Sequence, residues 1–412
     1  MAGIKTPSNL LILFTRFSFF PIHPTQFMEE KMKRSILIVI VLIMALSLTL
    51  AACGGKSAPA TKAPAPAATK AAEPAAKEGG VLRMLTWEGY APEELVKKFT
   101  DETGVKVEIS YIGDNNELIA KMAATKGSGF DLVSPTLNYV SNSQKEYGIY
   151  QPIDLSKVDQ KLFTPAHLKS ILDNSQFEGK PYALPFVWGT TAMIINTEKA
   201  PGAGKSYLDL CDPKYKDRVS YRAKYDTLYM FAYALGLDPA EAVKDEDQYR
   251  EVMNKVKDKL IECKPIVRTY WDSRQQMEEL MTTEEVWVAT SWDAAAWSLG
   301  LKDPKFKYVV PKEGAVGWFD TFAISAGAEN IDAAYKWINF MMQPENAAVI
   351  VNNTGYQTAS EGSAAMASPE MAKLVAESLP PEKLASINWY FPLPSYATDI
   401  QADVEEALKA AQ

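Results

Sequence analysis

The chain has 412 residues, 47% of them hydrophobic, and a formal net charge of −8. That length exceeds one ordinary compact core and predicts two lobes, and the apolar fraction is enough for a packed globular body. The acidic balance, with no lysine or arginine cluster, excludes a nucleic-acid groove.

The chain-order reading begins with a targeting signal. Met32-Lys33-Arg34 is a basic start, and 36–50 is an apolar run broken only by Ser47 and Thr49. The run is short for a membrane span. It ends in Leu50-Ala51-Ala52-Cys53-Gly54, the pattern of a bacterial lipoprotein signal peptide over 32–52, cleaved before Cys53, whose thiol then carries lipid. An uncleaved signal anchor is the alternative. Residues 1–31 precede a complete signal peptide, so Met32 reads as the true start and the upstream stretch as a mis-assigned one. Cleavage takes away five basic and two acidic residues and moves the charge from −8 to −11. Residues 53–80, rich in Ala, Pro, Lys and Thr, have no hydrophobic period and read as a disordered tether. Lipid, tether and acidic body together predict an extracytoplasmic protein anchored at a membrane. The remaining cysteines, Cys211 and Cys263, are a disulfide candidate in that compartment, with two free thiols as the alternative.

Residues 81–85 form an apolar strand ending in Thr86-Trp87-Glu88-Gly89-Tyr90. Pro92 opens a helix with Leu95, Val96 and Phe99 on one face, and Gly104 stops it. A strand over 105–112, a helix over 117–125 and a buried strand over 131–133 follow. Strand, helix, strand, helix, strand predicts a parallel sheet with crossover helices. Further strands are expected at 193–195, 219–221, 286–288 and 322–324, and helices at 228–235, 245–260 and 333–342. No fixed-period repeat is present. The fold class is α/β.

Ligands of such sheets bind beyond the carboxyl ends of the strands. The residues there are Trp87-Glu88-Gly89-Tyr90, the stretch 134–139 with Thr136 and Asn138, Trp188-Gly189-Thr190, Ser291-Trp292-Asp293 and Trp318-Phe319-Asp320. Trp87, Trp188, Trp292 and Trp318 are four of the chain's nine tryptophans. Core packing explains any one of them. Interleaved with Glu88, Asp293 and Asp320, they suit a cation. Asp320, between Trp318, Phe319 and Phe322, is the sharpest case, because an unpaired buried charge is costly. A turn-capping role for it stays open.

Other chemistry finds little purchase. Beyond the leader His167 is the sole histidine; it sits in a polar helix start and reads as a surface residue, so a histidine-activated nucleophile would rest on it alone. No His/Cys cluster has metal spacing, and no metal or cofactor is expected. Gly202-Ala203-Gly204-Lys205-Ser206 imitates a phosphate loop, but Lys199 stands where its first glycine belongs. It reads as a turn with Ser206 as an N-cap. No spacing singles out a carboxylate pair for glycoside hydrolysis.

From about residue 81 to its end the chain resembles the bacterial extracellular solute-binding proteins of the spermidine/putrescine type, which serve ABC importers. The resemblance is carried by Leu85-Thr86-Trp87-Glu88-Gly89-Tyr90-Ala91-Pro92, by 182–191, by Asp212-Pro213-Lys214-Tyr215-Lys216, by Pro311-Lys312-Glu313-Gly314 with Trp318-Phe319-Asp320, and by Gly355-Tyr356. It implies a two-lobed periplasmic-binding-protein fold, type II-like, each lobe a mixed, mainly parallel sheet flanked by helices. The ligand would lie in the interlobe cleft. Lobe 1 would hold 80–188 plus 319–362, and lobe 2 would hold 189–318 plus 363–412. Trp87, Tyr90, Trp292, Trp318 and Tyr356 would be the aromatic contacts, and Asp320 the carboxylate that receives an amine.

The implied protein is a lipid-anchored, monomeric binding protein that delivers a polyamine or similar organic cation to its ABC permease. One departure bears on the ligand. The family places two acids after the strand at 219–221, where this chain reads Arg222-Ala223-Lys224-Tyr225-Asp226. Asp226 fills one role; the other falls on Ala223 or Lys224. A shorter diamine, a monoamine, or a zwitterion whose carboxylate meets Lys224 or Arg222 therefore stays open. From another class, a surface-tethered hydrolase using Glu88, Asp293 or Asp320 is the rival, which a turnover assay separates.

Overall fold

The structure is a computed structural model and describes residues 80–410. The signal peptide, Cys53 and the tether up to residue 79 lie outside the described residues.

The first β-α-β unit follows its sequence cues. β1 (Val81–Trp87) leads through Pro92 into the helix Glu93–Thr103, which buries Leu95 and Phe99. Gly104, at φ 73°, ends that helix, and its N–H donates to the Thr100 carbonyl at 2.8 Å, an ordinary left-handed stop. β2 (Lys106–Ile112), the helix Asn115–Ala124 and β3 (Leu132–Val133) complete the unit. A small hairpin, β4 (Gln176–Phe177) and β5 (Lys180–Pro181), precedes β6 (Leu184–Asn196). The second half brings β7 (Val219–Tyr221), β8 (Val267–Tyr270), β9 (Val288–Trp292) and β10 (Phe306–Val309). β11 (Val316–Ile324), β12 (Gln357–Thr358) and β13 (Asn388–Trp389) follow.

The main sheet runs β2-β1-β3-β11-β6-β9-β7-β8. Its two ends are parallel: β1 pairs with β2 and β3, and β7 pairs with β8 and β9. Its middle is the antiparallel pair β6/β11. β6 is almost wholly buried along its thirteen residues and feeds both halves. Leu184 and Phe186 join Leu82, Met84 and Trp337 in one core. Further along, Met193 and Ile195 pack with Val219, Met253 and Val404, while Ala192 and Ile194 face the other way onto Met281 and Trp297. A strand covered on both faces shows no polar alternation, and this explains why only 193–195 reads as a strand in the sequence. Trp188 and Trp318, expected at strand ends, lie within β6 and β11.

Cys211, at the end of the 3₁₀ turn Tyr207–Cys211, is joined to Cys263, the last residue of the helix Glu246–Cys263. The phosphate-loop look-alike is a turn: the Gly204 and Lys205 N–H groups donate to Asp209 Oδ2 at 2.8 and 2.9 Å, and Ser206 Oγ accepts from the Leu208 N–H. His167 departs from its surface reading. It is half-buried, with ring centroids 5.7 Å from Trp188 and 5.1 Å from Phe319, and burial lowers its pKa. Strand alternation is the reason: Phe319 points away from its neighbours Trp318 and Asp320, and the helix Pro165–Asn174 packs over it.

Candidate ligand-binding site

Where β6 and β11 cross the middle of the sheet, a cleft of about 640 Å³ opens between the two halves. Of the residues singled out from sequence, Trp87, Glu88, Tyr90, Thr136, Trp292, Trp318, Asp320 and Tyr356 line it; Asn138, Asp226 and Asp293 do not.

Asp320 sits on β11 at a register shift. It pairs opposite Val187, whereas Thr321 pairs opposite Pro185, so the extra residue on β6 is Phe186. A proline, lacking an N–H, fits such a bulge. The carboxylate is only 6% exposed. Tyr90 Oη donates to its Oδ2 at 2.6 Å and Thr136 Oγ1 donates to its Oδ1 at 2.7 Å. Thr136 is itself anchored: its N–H donates to Asn115 Oδ1, and its Oγ1 accepts from Asn115 Nδ2. Burial pushes the Asp320 pKa up to about 6, against the pull of the two hydroxyls. A carboxylate has about four acceptor sites, so two hydroxyls leave room for a further donor.

The rings around it are held by specific contacts. Trp87 Nε1 donates to the Ser134 carbonyl at 2.8 Å. Trp318 meets Tyr356 edge-to-face at 5.0 Å. Opposite Trp318 stands Gly189, where a Cβ would fall 2.6 Å from Trp318 Cζ2; only glycine lets the indole lie across β6. Trp292 packs edge-to-face on Trp271 at 5.0 Å, and the Arg222 guanidinium lies 5.2 Å over its ring.

The non-lining candidates are buried in the protein. Asp293 Oδ2 accepts from the Thr190 N–H and Oγ1 at 2.7 and 2.9 Å, and its Oδ1 accepts from the Ala294 N–H at 2.6 Å. It is fully buried at the start of the helix Asp293–Lys302, and desolvation raises its pKa to about 7. Asp226 is buried in the helix Tyr225–Ala234, and its Oδ1 accepts from the Thr227 N–H. Lys224 is paired with Glu405 at 3.3 Å and does not line the cleft. Asn138 is buried, and its backbone carbonyl accepts from the Leu393 N–H.

The structure adds lining residues that the sequence reading passed over, among them Asp114, Tyr225, Asp272, Arg274, Glu278 and Tyr390. Asp272 and Arg274 follow β8, so the carboxyl-end rule would have found them had 267–270 been read as a strand. Arg274 spans the cleft: its Nε donates to Glu278 at 2.7 Å and its Nη1 to the Thr354 carbonyl at 2.9 Å, at the end of the helix Pro344–Thr354. A cation there meets the negative end of the helix dipole. Among the described residues no group of three His, Cys, Asp or Glu side chains is placed to hold a metal. The arrangement is therefore a buried carboxylate with free acceptor capacity in an aromatic-walled cleft.

A family model described as bacterial extracellular solute-binding protein matches residues 94–377. The chain is 31% identical over 300 residues to the spermidine/putrescine-binding periplasmic protein of Escherichia coli (strain K12), covering 72% of this chain and 82% of that protein. It is 26% identical over 328 residues to the putrescine-binding periplasmic protein PotF of the same organism, with the same coverage. It also matches the solved structure of the spermidine/putrescine ABC transporter substrate-binding protein PotD from Streptococcus pneumoniae, with a TM-score of 0.66 at 25% identity, over 81% of this chain and 99% of that one.

Proposed function

Because the chain belongs to the bacterial extracellular solute-binding proteins, we propose that it is the substrate-binding component of an ABC importer for a small organic amine, the class for which its relatives are named. The observation that carries this is Asp320, buried in the aromatic cleft with acceptor capacity left over. Rings attract a desolvated cation, and in their low dielectric one carboxylate acts strongly. The lobes are 80–188 plus 319–362 and 189–318 plus 363–412. Their breaks fall in β6 and β11, close to the Trp318–Gly189 pair, and Arg274 and Thr354 meet across the cleft when it closes. The closed binding protein docks, as a monomer, on the permease.

Calorimetry with putrescine and spermidine at pH 7.5 and pH 5 tests this reading. An amine should bind and raise the melting temperature. Its affinity should fall by up to about tenfold for each pH unit below about 6, since the ammonium needs the ionised form of a carboxylate whose pKa is raised to about 6. Asp320→Asn should remove that slope. No binding by any amine, or equal affinity at the two pH values, would overturn the assignment.

The protein works outside the cytoplasm, tethered through lipid on Cys53 after removal of 32–52. Supporting this are the basic start, apolar run and small-residue cysteine site. Among the described residues no helix is long and apolar enough to cross a membrane. Mass spectrometry of the native N-terminal peptide should find diacylated Cys53 as the first residue. A native protein that retains residues 35–52 refutes it.

A further inference from the structure

Arg222 follows β7 directly, lines the cleft and is 8% exposed. With its guanidinium over the Trp292 ring, the chain's own cation already holds that aromatic face, which is then closed to a second ammonium of the ligand. The guanidinium makes no hydrogen bond or ion pair with any described residue, and its Nε is buried without a partner. Asp226 lies within electrostatic reach, but outside ion-pair distance, and its own Oδ2 is unpartnered.

A fully protonated polyamine carries donors alone, so it would leave the cleft-lining guanidinium unanswered and set an ammonium against it. An unmet buried donor is costly, and so is an uncompensated buried charge. A carboxylate supplies acceptors and matches the planar guanidinium fork. Arg222 and Asp320 line the same cleft.

We propose that the ligand carries a carboxylate as well as an ammonium: Asp320 takes the ammonium, Arg222 takes the carboxylate, and the native substrate is an amino acid with its two charges separated by a short chain. This rests on the amine reading of the cleft and narrows it.

The test is calorimetry with ω-amino acids of three to six carbons, the α,ω-diamines of the same lengths, and the n-alkylamines. The best amino acid should bind at least about tenfold tighter than any diamine, and Arg222→Met should weaken it by about thirtyfold or more while strengthening diamine binding. Arg222→Lys should recover part of the loss. Circular dichroism and melting temperature report whether the variants fold; if one does not, the wild-type ranking still decides. Tighter binding of diamines than of amino acids overturns the inference while the amine reading stands. An amino acid whose affinity ignores a folded Arg222→Met overturns the role of Arg222. Failure of every amine-bearing compound removes both readings together.

Discussion

Asp320→Asn should abolish most of the affinity for the tightest amine-bearing ligand and leave the fold intact. Removing one partner of a buried charged contact costs about 2–5 kcal/mol, at least about thirtyfold in dissociation constant. The fold should survive because Asn keeps the size, and the hydroxyls of Tyr90 and Thr136 can each donate or accept. The stability sign follows from the raised pKa. The folded protein holds the Asp320 proton more tightly than the unfolded chain, so stability falls as pH rises from the ordinary carboxylate value of 3.8 to about 6, and above that the full penalty of the buried charge is present. Asn carries no such penalty, so the ligand-free variant should unfold at the same or a higher urea concentration while losing protection by ligand. Trp318→Leu should weaken binding by about 0.5–2 kcal/mol, one cation–π face. Titration calorimetry and urea unfolding of the three proteins decide this. Asp320→Asn binding within about threefold of wild type would move the ammonium seat to another cleft carboxylate, Glu88 first.

Replacing Cys211 and Cys263 together by serine should lower the unfolding free energy by about 4 kcal/mol. The bond spans a sequence separation of 52 residues, and closing a loop of that length removes roughly this much entropy from the unfolded chain. The Cα atoms are 4.8 Å apart, a distance disulfides commonly bridge. Their surroundings are packed: Cys263 is 2% exposed beside Tyr249, Val256 and Leu260 of the same core. Urea unfolding with and without reductant measures the difference. Quantitative labelling of two thiols in unreduced, denatured native protein would show that no such bond forms.

The β-α-β start was legible because each apolar run there is punctuated by Pro92, Gly104 or a polar turn. β6 and β11 were legible only at their apolar ends. Pro185 and Gly189 look like strand breakers, yet Pro185 marks a bulge and Gly189 makes space for an indole. Gly317 and Asp320 hid β11 in the same way. Strand ends led to Trp87, Glu88 and Trp292, and the family pattern alone supplied Tyr356. Asp293 also stands beside a strand, but its carboxylate turns to Thr190, a partner that no local pattern announces, and Asp226 is buried in its helix against the Thr227 N–H. Arg274 and Tyr390 escaped because β8 carries the exposed Arg268 and the C-terminal stretch has only a two-residue strand.

The crossing pair also governs the order in which the molecule can be made. β3 ends at Val133, yet its partner in the sheet is Ala323 of β11. The first parallel half is not finished until 316–324 exist, because β11 closes it; the same strand braces β6, which serves the other half. Such distant pairing slows folding, because a long loop must close before any contact rewards it. Until then the edge of β3 stays open, and an open edge invites wrong partners. No fragment ending before Ile324 contains that first half complete. The first half of a chain laid out this way stays threadable until residue 324 of 412 has been released, which is the condition that passage through a narrow export pore imposes.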